Sequence, residues 1–119
     1  WGIEKTPIKK YVSKLKKKIK DKNSIKELDA LSKKNFMVFT TMLHGDLAKE
    51  NILIENEKIV FIDWHPYVGP MTDDLVGLLK KMPSKKAFES ILNIYPKEIK
   101  LNFGSYLILS KISKRVNES

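Results

Sequence analysis

The sequence has 119 residues and a formal net charge of +9, with 42% hydrophobic and 31% charged residues. This length and composition favour one folded domain over a disordered chain. The sequence contains no cysteine, which excludes disulfides and thiolate metal sites, and no apolar run reaches the roughly 18 residues of a membrane span. We therefore expect a cytoplasmic protein without a membrane span. Because the chain starts with Trp1, we also expect it to be part of a longer protein.

The positive charge is concentrated in the first part of the chain. Residues 1–34 contain twelve lysines and four acidic residues, which gives +8, whereas residues 35–119 contain eleven basic and ten acidic residues, which gives +1. The only arginine is Arg115, and aromatic residues do not alternate with the lysines. Base recognition favours arginine and stacking needs aromatic rings, so the sequence disfavours specific nucleic-acid binding. The role of the lysine-rich residues 5–34 stays open.

Apolar periodicity predicts two helices in this basic part. The first lies in residues 8–20, and its inward face has five apolar residues at helical spacing: Ile8, Tyr11, Val12, Leu15 and Ile19. We interpret this stripe as a core contact, with binding to a membrane surface as the alternative. Ser24 followed by Glu27 has the pattern of a capping box and predicts the start of the second helix.

Extended structure is predicted in the middle of the chain. The β-branched and aromatic segment FMVFTTML, residues 36–43, predicts a strand that leads into the sequence HGD. The segment NILIENEKIVFID, residues 51–63, predicts two short strands joined by a tight turn near residues 55–58. We predict a loop for HPYVGP, residues 65–70.

Three more helices are predicted after this loop. Thr72 is the predicted N-cap of a helix that ends before Pro83 and has four inward-facing residues: Leu75, Val76, Leu78 and Leu79. Ser84 is the predicted N-cap of the next helix. Pro96 suits the first turn of the last helix, whose predicted buried positions are Ile99, Phe103, Tyr106, Leu107 and Ile112.

These elements predict an α+β fold that is mainly helical and carries one small β-hairpin. We predict a single domain over residues 1–119, divided into three parts. Residues 1–34 form the lysine-rich helices, residues 35–82 form the central loop, the hairpin and the following helix, and residues 83–119 form the C-terminal helices.

Three polar residues stand at the ends of the predicted hairpin strands. Asp46 lies in the loop after the first extended segment, Asn51 starts the first hairpin strand, and Asp63 follows the second. Antiparallel strands joined by a tight turn bring Asn51 beside Asp63, and the short loop keeps Asp46 close to both. Carboxylate and amide oxygens are ligands suited to Mg²⁺. The sequence therefore predicts a magnesium site at this end of the hairpin.

The motifs around these residues resemble those of small-molecule kinases. The order HGDL, NILI, FIDW, VGP and DDLVGLL, between Met42 and Leu79, is similar to that of the aminoglycoside phosphotransferase and choline kinase-like family. The interval from Asp46 to Asn51 also equals that of the kinase catalytic loop. The chain departs from the family pattern at residues 48–50, Ala-Lys-Glu, and at His65 and Pro66 after the IDW motif.

The resemblance implies a role for each of these residues. Asp46 would be the catalytic base that orients the acceptor hydroxyl, and Asn51 and Asp63 would bind Mg²⁺ and, through it, ATP. His44 and Asp74 would support the loops structurally. The implied fold is the C-terminal lobe of a protein-kinase-like enzyme. The implied reaction is transfer of the γ-phosphoryl group of ATP to a hydroxyl of a small molecule.

The same resemblance leaves two alternatives open. Kinases of this fold hold ATP under a Gly-rich loop and a strand lysine of an N-terminal lobe, and the sequence before residue 35 has neither. We therefore expect that lobe elsewhere in the parent chain, and we expect residues 1–119 alone to be nearly inactive. The alternatives are a non-catalytic kinase-like binding module and a part of an atypical protein kinase. The near-neutral residues 35–119 argue against a polycationic acceptor such as an aminoglycoside.

Overall fold

A computed structural model describes residues 2–47, 49–79 and 84–118 of the chain, without the side chains of residues 49, 79 and 118. Helices and strands are mixed, as predicted. The helices in these ranges are α1 (Ile8–Lys16), α2 (Lys22–Ser32), α3 (Asp73–Leu79), α4 (Lys85–Leu92), α5 (Lys97–Leu101) and α6 (Phe103–Glu118). The strands are β1 (Glu4–Pro7), β2 (Met37–Leu43), β3 (Ile52–Glu55), β4 (Lys58–Phe61) and β5 (Tyr67–Pro70).

The strand predicted from FMVFTTML is confirmed, and it is the centre of a three-stranded sheet. This strand, β2, pairs with β1 on one side and with β5 on the other, and both pairings are antiparallel. Thr40 faces Glu4 in one pairing and Pro70 in the other. The loop predicted for residues 65–70 was therefore wrong, because its last four residues form the edge strand β5.

The predicted hairpin is confirmed, and it forms a separate two-stranded sheet from β3 and β4. Ile52 pairs with Phe61, and Ile54 pairs with Ile59. The turn residues Asn56 and Glu57 have positive φ angles of 49° and 66°. Positive φ at both central residues is the geometry of a type I′ turn, whose twist matches that of the flanking strands.

The core lies between the three-stranded sheet and helices α1, α2 and α6. Helix α1 contributes Ile8, Val12 and Leu15, which are 2–5% exposed, so its apolar stripe is a core contact as predicted. The other buried members of this cluster come from α2, the residue before β2, the sheet itself and the C-terminal helices: Leu28, Leu31, Phe36, Val38, Phe39, Ile99, Tyr106, Leu109 and Ile112.

The first two helices differ from prediction at their ends. Helix α1 ends at Lys16 instead of residue 20. The N-cap of α2 is Asp21, whose carboxylate accepts hydrogen bonds from the N–H of Ser24 (3.0 Å) and from its hydroxyl (2.6 Å). The predicted capping box at Ser24 was therefore wrong, because the stronger acceptor Asp21 stands three residues earlier and uses the Ser24 hydroxyl as a donor.

The C-terminal helices agree in part with prediction. Ser84 is the N-cap of α4 and accepts a hydrogen bond from the N–H of Ala87 at 3.1 Å. The predicted last helix is divided at Asn102 into α5 and α6, and Pro96 is the N-cap of α5. The predicted end of the preceding helix before Pro83 lies outside the described residues.

None of the helices in the described ranges combines the length and the apolar character needed to cross a membrane.

Candidate active site at the end of strand β2

The loop after β2 is anchored by one carboxylate on helix α3. Asp74 accepts a hydrogen bond from the backbone N–H of His44 at 2.9 Å and another from that of Gly45 at 3.1 Å. Each oxygen of the carboxylate therefore holds one backbone donor, and hydrogen bonds to an ionised acceptor are stronger than neutral ones. This pair of bonds fixes the path of the chain immediately before Asp46.

Gly45 allows a second backbone segment to approach the loop. Its φ angle is +91°, and a Cβ atom at this position would lie 1.7 Å from the carbonyl oxygen of His65. The N–H of His65 donates to the carbonyl oxygen of His44 at 2.9 Å. Only glycine satisfies both the angle and the close contact, so the segment after Asp63 is held directly against the loop.

The imidazole of His44 connects Asp46 to the end of the hairpin. Its Nδ1 accepts a hydrogen bond from the N–H of Asp46 at 3.1 Å, and its Nε2 lies 2.8 Å from the carbonyl oxygen of Ile62. Since Nδ1 accepts and a carbonyl can only accept, the proton is on Nε2. The ring also packs on Trp64, with 4.5 Å between centroids. His44 thus fixes Asp46 relative to the segment that carries Asp63.

Asp46 and Asn51 are in direct contact. The amide nitrogen of Asn51 donates to the backbone carbonyl of Asp46 at 2.8 Å and lies 3.2 Å from its Oδ2. Asn51 is 9% exposed, and it ends a 3₁₀ turn, Lys49–Asn51, that leads into β3. The side chain of Asn51 therefore closes the loop on itself and holds the Asp46 carboxylate near the start of the hairpin.

Asp63 lies next to residues that contact this loop, but its side chain forms no hydrogen bond with Asp46 or Asn51. The N–H of the preceding Ile62 donates to the carbonyl oxygen of Asn51 at 2.9 Å. Asp63 is exposed and has a φ angle of +54°, which is uncommon for residues other than glycine. Backbone strain of this kind is concentrated at functional sites in proteins.

The side-chain oxygens at the end of the hairpin are of the kind that Mg²⁺ binds. Asn51 uses its amide nitrogen towards Asp46, which leaves the amide oxygen directed away from that carboxylate. The exposed carboxylate of Asp63 has no hydrogen-bond partner among the described residues. In the same ranges no three His, Cys, Asp or Glu side chains are grouped for a metal. Mg²⁺ needs only one or two carboxylates, because water and phosphate oxygens complete its shell.

Sequence reasoning did not identify the buried carboxylate of Asp73. Its position at the start of α3 suggests an ordinary helix N-terminal charge, but it is 0% exposed. Its Oδ2 accepts hydrogen bonds from the hydroxyls of Tyr67 (2.7 Å) and Ser113 (2.6 Å). Its Oδ1 is buried without a partner among the described residues. Burial raises the pKa of Asp73 to about 6, although the hydrogen bonds oppose this change.

The Asp73 network joins the site to the rest of the fold. Tyr67 belongs to β5 and Ser113 to α6, so their hydroxyls fix the start of α3 between the sheet and the last helix. Burial and the negative charge of Asp73 raise the pKa of the Tyr67 hydroxyl, which therefore stays protonated and acts as a donor. Because Asp74 follows Asp73 in the same helical turn, this network also determines where the anchor of the His44 loop lies.

Comparison with known proteins identifies one relationship. A family model described as RIO domain matches residues 5–82, which are 78 of the 119 residues. The match includes β1 from its second residue onward, the loop from His44 to Asn51, the hairpin and α3. No curated protein and no solved structure matches the chain at the level required for significance.

Proposed function

Since this chain belongs to the RIO domain family, an atypical protein-kinase-like family, we propose that it carries the catalytic loop of an ATP-dependent phosphotransferase. One observation carries the proposal. The amide of Asn51 contacts both the backbone and the carboxylate of Asp46, and the hairpin then returns the chain so that Ile62, next to Asp63, bonds to Asn51. A hydroxyl-orienting carboxylate and two oxygen ligands at this spacing are what phosphoryl transfer requires.

In this proposal Asp46 positions the acceptor. Its carboxylate accepts the hydrogen bond of the acceptor hydroxyl and takes the proton as the oxygen bonds to the γ-phosphorus, with ADP as the leaving group. Asn51 and Asp63 would hold Mg²⁺, which neutralises charge on the phosphate oxygens when bound. The remaining contribution to the reaction rate comes from positioning, because Asp74 and His44 hold the loop in one position before the substrates bind.

The motif resemblance and the RIO domain match suggest different acceptors for the phosphoryl group. The resemblance to the aminoglycoside phosphotransferase and choline kinase-like family supports a hydroxyl of a small molecule. Membership in the RIO domain family supports a hydroxyl of a protein instead. We propose a hydroxyl acceptor in both cases, and a comparison of small polyols with a serine-containing protein substrate distinguishes them.

We also propose that this chain is the C-terminal lobe of the enzyme and that the parent chain supplies an N-terminal nucleotide lobe. Support comes from the kinase-like fold, which completes its ATP site with a Gly-rich loop and a strand lysine. A cytoplasmic location belongs to the same proposal, since ATP and Mg²⁺ are abundant there. The alternative function is that of a non-catalytic binding module. A measurement of nucleotide binding distinguishes this module from an enzyme.

Calorimetric titration with Mg-ATP tests the proposal on the 119-residue chain and on a longer parent chain. We expect binding in the longer chain and weak or no binding in the shorter one. In the longer chain, Asp46→Asn should keep nucleotide binding but reduce turnover by about 10²–10⁴-fold, the usual contribution of a general base. Asp63→Asn should instead weaken Mg-dependent nucleotide binding.

The control is Asp29→Asn, because Asp29 is an exposed carboxylate on α2 that pairs with Lys16 outside the loop. It should leave binding and turnover unchanged. If neither chain binds Mg-ATP, the molecule is a non-catalytic module. If Asp46→Asn leaves turnover unchanged in an active parent chain, the assignment of the base is wrong.

A further inference from the structure

A cavity between α1 and the three-stranded sheet has no part in the proposed reaction. Its volume is about 320 Å³, which lies within the range of small-molecule sites. One wall is α1 with the residues that follow it, and the other is formed by all three strands and the end of α6. The lining residues are Glu4, Thr6, Lys10, Tyr11, Lys14, Leu15, Lys18, Thr40, Val68 and Asn117.

Three lysines line the helical wall at intervals of four residues. Lys10 and Lys14 are one helical turn apart on α1, which is about 6 Å along the axis, and Lys18 follows in the turn after the helix. None of the three forms an ion pair with a described carboxylate. The ion pair found on this helix, Lys16 with Asp29 at 2.7 Å, involves a lysine that does not line the cavity. The three ammonium groups are therefore available to a ligand.

The charges around the cavity sum to a positive value. The lysines contribute three positive charges, and Glu4 contributes one negative charge on the opposite wall. The C-terminal end of α1 adds about half a negative charge from its carbonyl groups. Three positive charges exceed these two negative contributions, so the cavity attracts an anion. The sum of about +1.5 is balanced by one phosphate group, but the lysine row extends over nine residues, from Lys10 to Lys18. This is longer than one phosphate group, so a ligand with two phosphate groups would use all three lysines.

The rest of the lining suits an organic molecule more than a bare ion. Thr6 and Thr40 provide hydroxyls, Asn117 provides an amide, and Leu15 and Val68 provide apolar surface. Glu4 can accept a hydrogen bond from a hydroxyl of the ligand. A hydroxylated carbon skeleton between the phosphate groups would use these contacts. An extended nucleic-acid strand would need an open groove with stacking platforms, and the aromatic residue that lines this cavity, Tyr11, is half-buried.

We propose that this cavity binds a small organic phosphate with at least two phosphate groups on a hydroxylated skeleton. Lys10, Lys14 and Lys18 bind the phosphates, and the strand residues opposite bind the skeleton. Thr40 precedes the end of β2 by three residues, so the cavity lies on the order of 10 Å along the strand from the His44 loop. The proposal needs no phosphoryl transfer and is tested by binding alone.

The test is a titration of the ¹⁵N-labelled 119-residue chain with fructose 1,6-bisphosphate, followed by amide chemical shifts. We expect the largest shifts at Lys10, Tyr11, Lys14 and Val68 and none at Asp46 or Asp63. Fructose and inorganic phosphate should each bind at least tenfold more weakly, because each offers half of the required contacts. Binding should also weaken with added salt, since the attraction is electrostatic.

Two variants of equal charge make the test specific. The triple change Lys10→Gln, Lys14→Gln, Lys18→Gln should weaken binding at least tenfold. The control changes three exposed lysines that do not line the cavity, Lys9→Gln, Lys17→Gln and Lys26→Gln, and should leave binding within twofold. Equal losses in both triples, or shifts spread over all lysines, would overturn the proposal. So would tighter binding of a twelve-nucleotide RNA strand or of anionic lipid vesicles at the same residues.

Discussion

The three-stranded sheet and the hairpin have different sources of stability. Val38 in the centre of the sheet is 0% exposed, whereas Ile54 and Ile59 of the hairpin are 79% and 66% exposed. The sheet is therefore held by apolar burial against α1, α2 and α6. The hairpin is held at its open end by a few polar contacts. The main ones are the bond from the N–H of Ile62 to the carbonyl of Asn51 and the bond from Nε2 of His44 to the carbonyl of Ile62.

Because of this difference, the residues that stabilise the fold are not the residues that would carry out the proposed reaction. Asp46, Asn51 and Asp63 lie at the junction between the two regions, where hydrogen bonds and not apolar packing set the geometry. A substitution in the core should unfold the whole chain. A substitution at the junction should move the site while the core stays intact. The predictions below test this separation, starting with the largest expected effect.

Leu109→Ala should give the largest loss of stability. Leu109 of α6 is 0% exposed, and removal of a fully buried leucine side chain costs about 2–5 kcal/mol through lost burial and the cavity that remains. Chemical denaturation followed by circular dichroism measures the change. The control is Leu101→Ala, since Leu101 is 74% exposed and its loss should cost less than about 0.5 kcal/mol. Equal effects of the two changes would contradict the assignment of the core.

Asp73→Asn should change how stability depends on pH. Burial raises the pKa of Asp73 from 3.8 to about 6 in the folded state, so between these values the folded chain binds more protons than the unfolded chain. Its contribution to stability therefore falls as pH rises from about 4 to about 6 and is constant above that window. The full difference corresponds to about 3 kcal/mol.

The asparagine variant cannot ionise, and its amide oxygen can still accept hydrogen bonds from Tyr67 and Ser113. We expect its free energy of unfolding to exceed that of the unchanged chain by an amount that grows between pH 4 and pH 6. Urea denaturation at several pH values from 4 to 8 measures this difference. A difference that is the same at every pH would mean that the pKa of Asp73 is not raised in the folded state.

His44→Ala should loosen the hairpin without unfolding the core. The change removes the hydrogen bonds to the N–H of Asp46 and to the carbonyl of Ile62, which together are worth about 1–3 kcal/mol. Amide hydrogen exchange should become faster in β3 and β4 and stay slow in β2 and α6. The control is His65→Ala, whose exposed side chain has no hydrogen bond to a described residue. Faster exchange in α6 as well would show that the two regions are not separable.

Ile54→Ala should have the smallest effect. The side chain is 79% exposed and projects from the hairpin, so its truncation should change the free energy of unfolding by less than about 0.5 kcal/mol. Thermal denaturation checks this value. A loss above about 1 kcal/mol would mean that another part of the molecule covers the hairpin in solution.

Local sequence patterns predicted the elements that depend on local forces. The period of Ile8, Val12 and Leu15 reveals α1 and its buried face, and alternating apolar residues around Asn56 and Glu57 reveal the hairpin. Strands β1 and β5 could not be found this way. Each has four residues and ends with proline, and each is a strand only because it pairs with β2, far away in the sequence.

The site was predictable to a similar extent. The spacing of Asp46, Asn51 and Asp63 indicated residues at the ends of one hairpin. The contacts that hold these residues in place could not be predicted from the sequence, because they form between groups that are far apart along the chain. Asp73 has the ordinary appearance of a charge at a helix start, and only the approach of Ser113 from α6 makes it a buried acceptor.

The anchor provided by Asp74 has a consequence for redesign of the loop. It binds the main chain of His44 and Gly45 and none of their side chains, so replacement of side chains after Asp46 removes neither bond. The start of the loop can therefore be kept in place on helix α3 while the residues that follow are varied.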